Sequence, residues 1–201
     1  MLNETQLFQV QQESPFSELG QLLTPLTAGV SQAINLEEKP FLELINLKGK
    51  ADSLALLRAV KHLTGASLPT QPNTTAESEQ FVIYWLAPNE WLIQSKQPRL
   101  PALCADLATS LAGEFASMVD VSSGNTALVL SGAKAREVLQ KGCPLDFHAS
   151  VFKSGQCAQS HYFKAGILLR PLADGAYELV VRRSFADYFG RILLDACQEY
   201  L

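Results

Sequence analysis

The sequence predicts an α+β protein that consists of two duplicated, ferredoxin-like halves of the βαβ type. Short apolar stretches of strand length alternate with longer ones whose apolar residues recur at helical spacing. From residue 41 onward the order is β-α-β-β-α-β, which is typical of the ferredoxin-like fold. The second part of the chain repeats this pattern at an offset of 83–86 residues, which indicates an internal duplication.

The patterns divide the chain into three regions. Residues 1–28 contain Pro15 and Pro25 and are predicted to form an extended N-terminal segment. Residues 29–121 form the first α/β half, and residues 122–201 form the second.

The first half contains strands and helices bounded by clear stop signals. Its first helix has Asp52 or Ser53 as a candidate cap and ends at Gly65, while residues 66–80 are rich in Pro, Ser and Thr and are predicted to be irregular. In chain order the predicted elements are strands Val30–Leu36 and Phe41–Leu47, helix Ala51–Thr64, strands Phe81–Leu86 and Trp91–Gln94, helix Pro101–Ala112 and strand Ser117–Val121.

The second half repeats these signals. A strand around Leu128–Leu130 leads into helix Ala133–Lys141, and strands Gly166–Arg170 and Tyr177–Val181 form a hairpin. The last helix is predicted to begin with a capping-box-like sequence at Ser184. Its apolar face comprises Phe185, Phe189, Ile192, Leu193 and Ala196.

Composition limits the possible functions. The chain has 201 residues, of which 47% are hydrophobic and 18% charged, as expected for a globular protein. No apolar stretch approaches the roughly 18–20 residues that span a bilayer, and the N-terminus lacks the pattern of a secretory signal, so we expect a cytoplasmic protein without membrane contact. The net charge of −4 argues against nucleic-acid binding. Residues 1–121 carry a net charge of −6 and residues 122–201 of +2, which suits docking onto a protein partner but also occurs by chance in monomers.

No catalytic constellation is evident. The sequence contains neither a Gly-rich phosphate loop nor a nucleophile elbow, and its four cysteines include no C-x-x-C pair. We therefore expect no catalytic, cofactor-binding or metal site on this chain. Asp146 can orient the His148 imidazole for general-base chemistry, but a local hydrogen bond that stabilises the loop is the favoured interpretation.

Three charged residues remain as candidates for contacts. Asp120 lies in a strand-like stretch, and we expect it to cap the following turn by accepting backbone N–H bonds. Arg182 and Arg183 can clamp a carboxylate or phosphate, or form ion pairs at a subunit surface, and the second interpretation is favoured.

Several segments carry a resemblance to one known family. The most specific are Gly-Cys-Pro-Leu-Asp at residues 142–146 and Arg-Ser-Phe-Ala-Asp-Tyr at residues 183–188, supported by segments 86–92, 119–139 and 155–159. Over residues 80–200 the chain resembles the sarcosine oxidase gamma-subunit family. It departs from the family at Ser123-Gly124, where many members have a basic or histidine pair.

The resemblance implies a structural role in a complex. Such a chain assembles with alpha, beta and delta subunits that oxidise sarcosine to glycine, transfer the one-carbon unit to tetrahydrofolate and form hydrogen peroxide. FAD, FMN, NAD, zinc and tetrahydrofolate are expected on those partner subunits. Candidate subunit contacts on this chain are Asp120, Arg182, Arg183 and Tyr188.

The family is similar to the folate-binding aminomethyltransferases, so an aminomethyltransferase folate-binding-domain-like fold is expected. Glu77 and Glu79 occupy the region where those enzymes carry an Asp pair, and we therefore expect no folate site. One alternative is a free-standing aminomethyltransferase-like protein, active in one-carbon transfer or iron–sulfur assembly, with Cys157 as an echo of a reactive cysteine. An independent interaction module is a further alternative.

Overall fold

The computed structural model describes residues 13–17 and 33–200, which contain ten strands and four α-helices. The strands are β1 (Asn35–Lys39), β2 (Glu43–Gly49), β3 (Thr75–Glu77), β4 (Phe81–Ala87), β5 (Glu90–Ser95), β6 (Ala116–Asp120), β7 (Asn125–Ser131), β8 (Ala158–Tyr162), β9 (Ala165–Pro171) and β10 (Tyr177–Arg182). The helices are α1 (Leu54–Thr64), α2 (Leu100–Ser110), α3 (Ala135–Gln140) and α4 (Ala186–Cys197).

The strands form two antiparallel sheets of five strands each. The first sheet has the order β3-β4-β5-β2-β6, and the second has the order β8-β9-β10-β7-β1. The strands β2, β4, β5 and β6 follow the order β4-β5-β2-β6 with helices after β2 and β5, which is the ferredoxin-like arrangement. The predicted α+β class with two ferredoxin-like units is therefore confirmed.

The two repeats run from β1 to α2 and from β6 to α4, and the first strand of each lies in the sheet formed by the other strands of the other repeat. β1 pairs with β7, with Leu36 opposite Leu130, whereas β6 pairs with β2, with Met118 opposite Leu47. The predicted division into residues 29–121 and 122–201 therefore does not coincide with the division into sheets, because β1 lies in the second sheet. The alternation of apolar residues identifies a strand and its buried face, but not the strand beside it.

The two sheets pack face to face, with helices on their outer faces. Helices α1 and α2 cover the first sheet through residues that include Leu56, Val60 and Leu107, and α3 and α4 cover the second through Val138, Phe189 and Leu193. The inner faces meet through Leu44, Val82, Tyr84, Leu92, Ala127, Leu168 and Val180. Successive residues of a strand point to opposite faces, so each central strand is buried on both sides.

The ends of the helices only partly follow the sequence signals. The Ser53 hydroxyl accepts a hydrogen bond from the Leu56 backbone N–H at 3.2 Å, and Gly65 ends α1 with a φ of 75°, as predicted. The capping box predicted at Ser184 is absent, because residues 183–185 form a 3₁₀ turn and α4 begins at Ala186 without a side-chain cap. The tighter turn takes Phe185 away from the buried face of α4, where it had been predicted to lie.

The predicted N-terminal segment, residues 1–28, lies mostly outside the described residues. Within residues 13–17, Phe16 is fully buried in the core between the second sheet and its helices. In the part of the chain that the structure describes, no helix has both the length and the apolar character needed to cross a bilayer.

Candidate functional site

A cleft of about 880 Å³ opens between the inner faces of the two sheets. Its floor is apolar and includes Leu92 of β5, Leu168 of β9 and Val180 of β10. Its rim is polar and comprises Asn46, Glu90, Asp120, Ser123, Asn125, Gln159, Ser160 and Arg182. An apolar floor with a few convergent polar groups is typical of a binding site.

Asp120 lies at the rim, at the end of β6. Its carboxylate accepts hydrogen bonds from the Ser122 backbone N–H at 2.9 Å and from the Ser122 hydroxyl at 2.5 Å. The Ser122 hydroxyl in turn accepts a bond from the Leu44 N–H at 3.0 Å, which ties this turn to β2. The predicted capping role of Asp120 is confirmed, but its side chain is exposed because β6 is an edge strand.

The two adjacent arginines have different surroundings. Arg182 lines the cleft at the end of β10, and its exposed guanidinium has no hydrogen bond or ion pair with any residue in the described part of the chain. Arg183 donates instead to the Glu13 carbonyl at 3.3 Å. The structure therefore brings Asp120 and Arg182 to one cleft, whereas Arg183 and the exposed Tyr188 lie outside its lining.

The second carboxylate at the rim already has partners within the protein. Glu90 Oε1 accepts a hydrogen bond from Asn46 Nδ2 at 2.9 Å and lies 3.4 Å from Lys48 Nζ. The carboxylates of Asp120 and Glu90 are therefore both hydrogen-bonded, whereas the guanidinium of Arg182 has no hydrogen-bond partner among residues 13–17 and 33–200.

A buried polar network lies elsewhere between the sheets. Arg170 Nε donates to Glu178 Oε2 at 2.6 Å, and Gln94 Nε2 donates to Glu178 Oε1 at 2.9 Å. The Tyr84 hydroxyl oxygen lies 2.6 Å from Gln94 Oε1 and 2.9 Å from Glu178 Oε2. Burial and the neighbouring Glu178 carboxylate raise the pKa of Tyr84 well above its usual value, so the phenol stays neutral. This network was not predicted from the sequence, although the charged residues at 170 and 178 within apolar strands were a signal of it.

Glu77, in the region of the folate-site acids of the aminomethyltransferases, is held by two cations. Its carboxylate oxygens lie 2.5 Å from Lys96 Nζ and 3.1 Å from Arg170 Nη1. Partial burial raises the pKa of Glu77, but Lys96 and Arg170 outweigh this effect and hold it below its usual value. This carboxylate therefore stabilises the edge of the first sheet.

The side chains considered for catalysis have structural partners. The buried Cys157 thiol lies 3.4 Å from the Thr74 carbonyl oxygen, and burial raises its pKa to about 11, which makes it a poor nucleophile. Asp146 accepts a bond from the His148 backbone N–H at 2.8 Å, while the His148 ring contacts Ser150. This geometry matches the favoured interpretation of a loop-stabilising hydrogen bond.

Two further observations concern metals and disulfides. Within residues 13–17 and 33–200, no group of three or more His, Cys, Asp or Glu side chains is placed to hold a metal ion. The four cysteines, at positions 104, 143, 157 and 197, form no disulfide in this part of the chain.

Comparison with known proteins identifies the family. Residues 48–199 match the model of the family described as "Sarcosine oxidase, gamma subunit family". The chain belongs to the sarcosine oxidase gamma-subunit family. A member from Corynebacterium sp. strain U-96 is 27% identical over 100% of this chain and 95% of its own length, and one from strain P-1 is 30% identical over 87% and 83%.

Solved structures extend this family assignment to the fold. A chain of the heterotetrameric sarcosine oxidase from Corynebacterium sp. U-96 matches with a TM-score of 0.86 and 26% identity, covering 94% of this chain and 96% of that one. The glycine cleavage system aminomethyltransferase T from Bartonella henselae matches with a TM-score of 0.61 and 14% identity, covering 86% of this chain and 48% of that one. The second match confirms the predicted aminomethyltransferase-like fold.

Proposed function

We propose that this chain is the gamma subunit of a heterotetrameric sarcosine oxidase and that its role there is structural. The observation that carries the proposal is the match, over 94% of the chain, to a chain of that enzyme from Corynebacterium sp. U-96. The assembled complex oxidatively demethylates sarcosine to glycine, passes the one-carbon unit to tetrahydrofolate and forms hydrogen peroxide.

The proposal assigns the chemistry to the partner subunits. The partners of this chain are the alpha, beta and delta subunits, which bind FAD, FMN, NAD, zinc and tetrahydrofolate. The complex is located in the cytoplasm. A non-catalytic role for this chain is supported by two reactive side chains that are buried or bonded within the fold. Cys157 is buried with a raised thiol pKa, and Glu77 is paired with Lys96 and Arg170.

The proposed contacts with other subunits are Asp120, Arg182, Arg183 and Tyr188. All four are exposed, and Asp120 and Arg182 share the cleft between the sheets. Tyrosine and arginine are enriched in the energetically important part of protein interfaces.

Co-expression of the four subunits with and without this chain tests the proposed function. We expect that the large subunits fail to form the full complex without it, and that sarcosine-dependent peroxide formation is lost or strongly reduced. Size-exclusion chromatography and a peroxide assay measure both effects. Normal assembly and turnover in its absence would contradict the proposal, as would micromolar binding of tetrahydrofolate to the isolated chain, measured by calorimetry.

A further inference from the structure

The internal repeat makes two regions between the sheets equivalent. In the β4–β5 hairpin Leu92 lies opposite Tyr84, and in the β9–β10 hairpin Glu178 lies opposite Arg170. The next inward-facing pairs are Val82 with Gln94 and Leu168 with Val180. Superposition of the two hairpins therefore makes Leu92 the counterpart of Glu178, and Val180 the counterpart of Gln94.

The two equivalent regions differ in how they are filled. In one, Glu178 and Gln94 form the buried network with Tyr84 and Arg170. In the other region, the counterparts of Glu178 and Gln94 are the apolar residues Leu92 and Val180. Both belong to the floor of the 880 Å³ cleft. The cleft thus has apolar side chains at the positions equivalent to the buried carboxylate of Glu178 and the buried amide of Gln94.

The same comparison identifies a missing carboxylate. Lys96, directly after β5, and Arg182, the last residue of β10, are counterparts, and Lys96 binds the Glu77 carboxylate. Glu77 lies opposite Val82, whereas the residue opposite its counterpart Leu168 is Gln159. The Gln159 amide is neutral and donates to the Leu86 carbonyl at 2.6 Å, so Arg182 has no acidic partner of this kind.

We propose that the cleft is a socket for a segment of another subunit, which inserts an apolar side chain between Leu92, Leu168 and Val180 and places an Asp or Glu carboxylate against Arg182. This inference rests on the proposed function, because it requires that the chain assembles with other subunits. The inserted carboxylate would bind Arg182 as the Glu77 carboxylate binds Lys96. Asp120 and Glu90 are already hydrogen-bonded within the chain, so the guanidinium of Arg182 is the charged group of the rim that is left to bond an incoming carboxylate.

The surroundings of the cleft favour a protein segment as its occupant. Phe185 lines the cleft and is 41% exposed, and Tyr188, three residues further along, is 37% exposed. Residues three apart on a helical stretch are neighbours, so these rings extend an apolar surface from the cleft onto the start of α4. A partner that fills the cleft can cover both rings, whereas a small ligand in the cleft leaves Tyr188 in water.

Two substitutions test the socket without disturbing the core. Arg182→Glu reverses the charge at the rim, and Gly166→Leu fills the cleft, since a Cβ at Gly166 meets no atom within 4 Å. Arg136→Glu is the matched control. Arg136 is exposed on helix α3, so this substitution makes the same change in charge at a position away from the cleft. The thermal unfolding midpoint of each isolated variant shows whether its fold is retained.

The readout is the amount of alpha, beta and delta subunits retained by the tagged chain after co-expression. We expect about a tenfold loss or more for Arg182→Glu and Gly166→Leu, and wild-type retention for Arg136→Glu. Retention of the partners by the wild type and by both cleft variants would overturn the socket while leaving the proposed function intact. If the wild-type chain itself retained no partner, the proposed function would fail first.

A small carboxylate as the natural occupant gives a different result. Benzoate would then raise the unfolding midpoint of the wild-type chain but not that of Arg182→Gln, while both cleft variants would assemble normally. This combination would overturn the proposed partner segment. If the natural occupant is instead a partner segment, we expect benzoate to leave the unfolding midpoint of the isolated wild-type chain unchanged.

Discussion

Arg170 and Glu178 form an ion pair inside an otherwise apolar layer. Glu178 is 5% exposed and Arg170 is 9% exposed. Such a pair is retained only when its remaining hydrogen-bonding groups also find partners, which Tyr84, Gln94 and Glu77 provide. The network joins residues of both sheets and therefore fixes how the two inner faces fit together.

Removal of one member of this pair is predicted to cost more than removal of both. We expect Arg170→Leu to lower the free energy of unfolding by about 3 kcal/mol, because Glu178 is left buried without a cation. The double variant Arg170→Leu/Glu178→Leu is expected to regain part of this loss, which urea denaturation of the isolated chain measures. Glu37→Gln, at the exposed pair with Lys39, serves as the control and should change stability by no more than about 0.5 kcal/mol. A double variant that is no more stable than Arg170→Leu would contradict this prediction.

Local hydrogen bonds were the residue-scale features that the sequence predicted best. The caps made by Asp120 and Ser53 depend on neighbours two or three positions away, and those neighbours can be read directly from the sequence. The contacts of Glu178 with Tyr84 and Gln94 join residues more than 80 positions apart. They depend on the packing of the two sheets, about which periodicity says nothing.

At the scale of elements, Gly132 allows the backbone before β1 to pass close to the end of β7 in the second sheet. It follows β7 with a φ of 103°, and a Cβ there would lie 2.5 Å from the Ala33 carbonyl oxygen. The same carbonyl accepts a hydrogen bond from the Lys134 N–H at 2.8 Å. The close approach of these backbones is what places β1 beside β7.

Gly132→Ala is predicted to destabilise the protein by about 3 kcal/mol, since it combines backbone strain with a collision against main-chain atoms that cannot move aside. Gly175→Ala is the matched control: its φ is 83°, but a Cβ there meets no atom within 4 Å, so a loss of about 1 kcal/mol is expected. Thermal and urea unfolding of the two variants measure the difference. Equal losses would show that the contact with Ala33 is unimportant.

Most elements were predicted, but their neighbours were not. Helix α1 and the β4–β5 and β9–β10 hairpins follow directly from apolar spacing and turn residues. The short strand β3 was missed because Thr75–Glu77 lies in a segment rich in Pro, Ser and Thr. The first strand was predicted at Val30–Leu36, and the strand in the structure is Asn35–Lys39.

For the whole molecule, the exchange of β1 and β6 means that no single cut separates two complete units. A cut at the predicted boundary, between residues 121 and 122, removes β1 from the second sheet. The loss leaves β7 with an unpaired edge and exposes part of the core above it.

A permuted fragment tests this arrangement. We expect residues 122–201 alone to lack a cooperative unfolding transition, and the same fragment followed by residues 33–42 to gain one. The first repeat suggests a five-residue linker, because residues 111–115 join α2 to β6 at the equivalent place. Circular dichroism during heating measures both fragments. Cooperative unfolding of residues 122–201 alone would contradict the expectation.

The family was predictable at this scale, whereas the cleft was not. The motifs at residues 142–146 and 183–188 are contiguous in the sequence, so they can be identified without a fold. The cleft is formed by side chains of β2, β5, β9 and β10 that meet only when the sheets pack. Asp120 and Arg182 were selected individually as candidates, and only the structure shows that they share a site.

The exchanged strand also has a consequence for how the protein is made. Strand β1 leaves the ribosome about 90 residues before its partner β7. At synthesis rates of roughly 5–20 residues per second, this delay lasts roughly 4–18 s. Throughout that time the nascent chain carries a strand whose backbone groups have no partner, a template for association with other chains. β1, the earliest strand among the described residues, is therefore protected only once most of the chain has been translated.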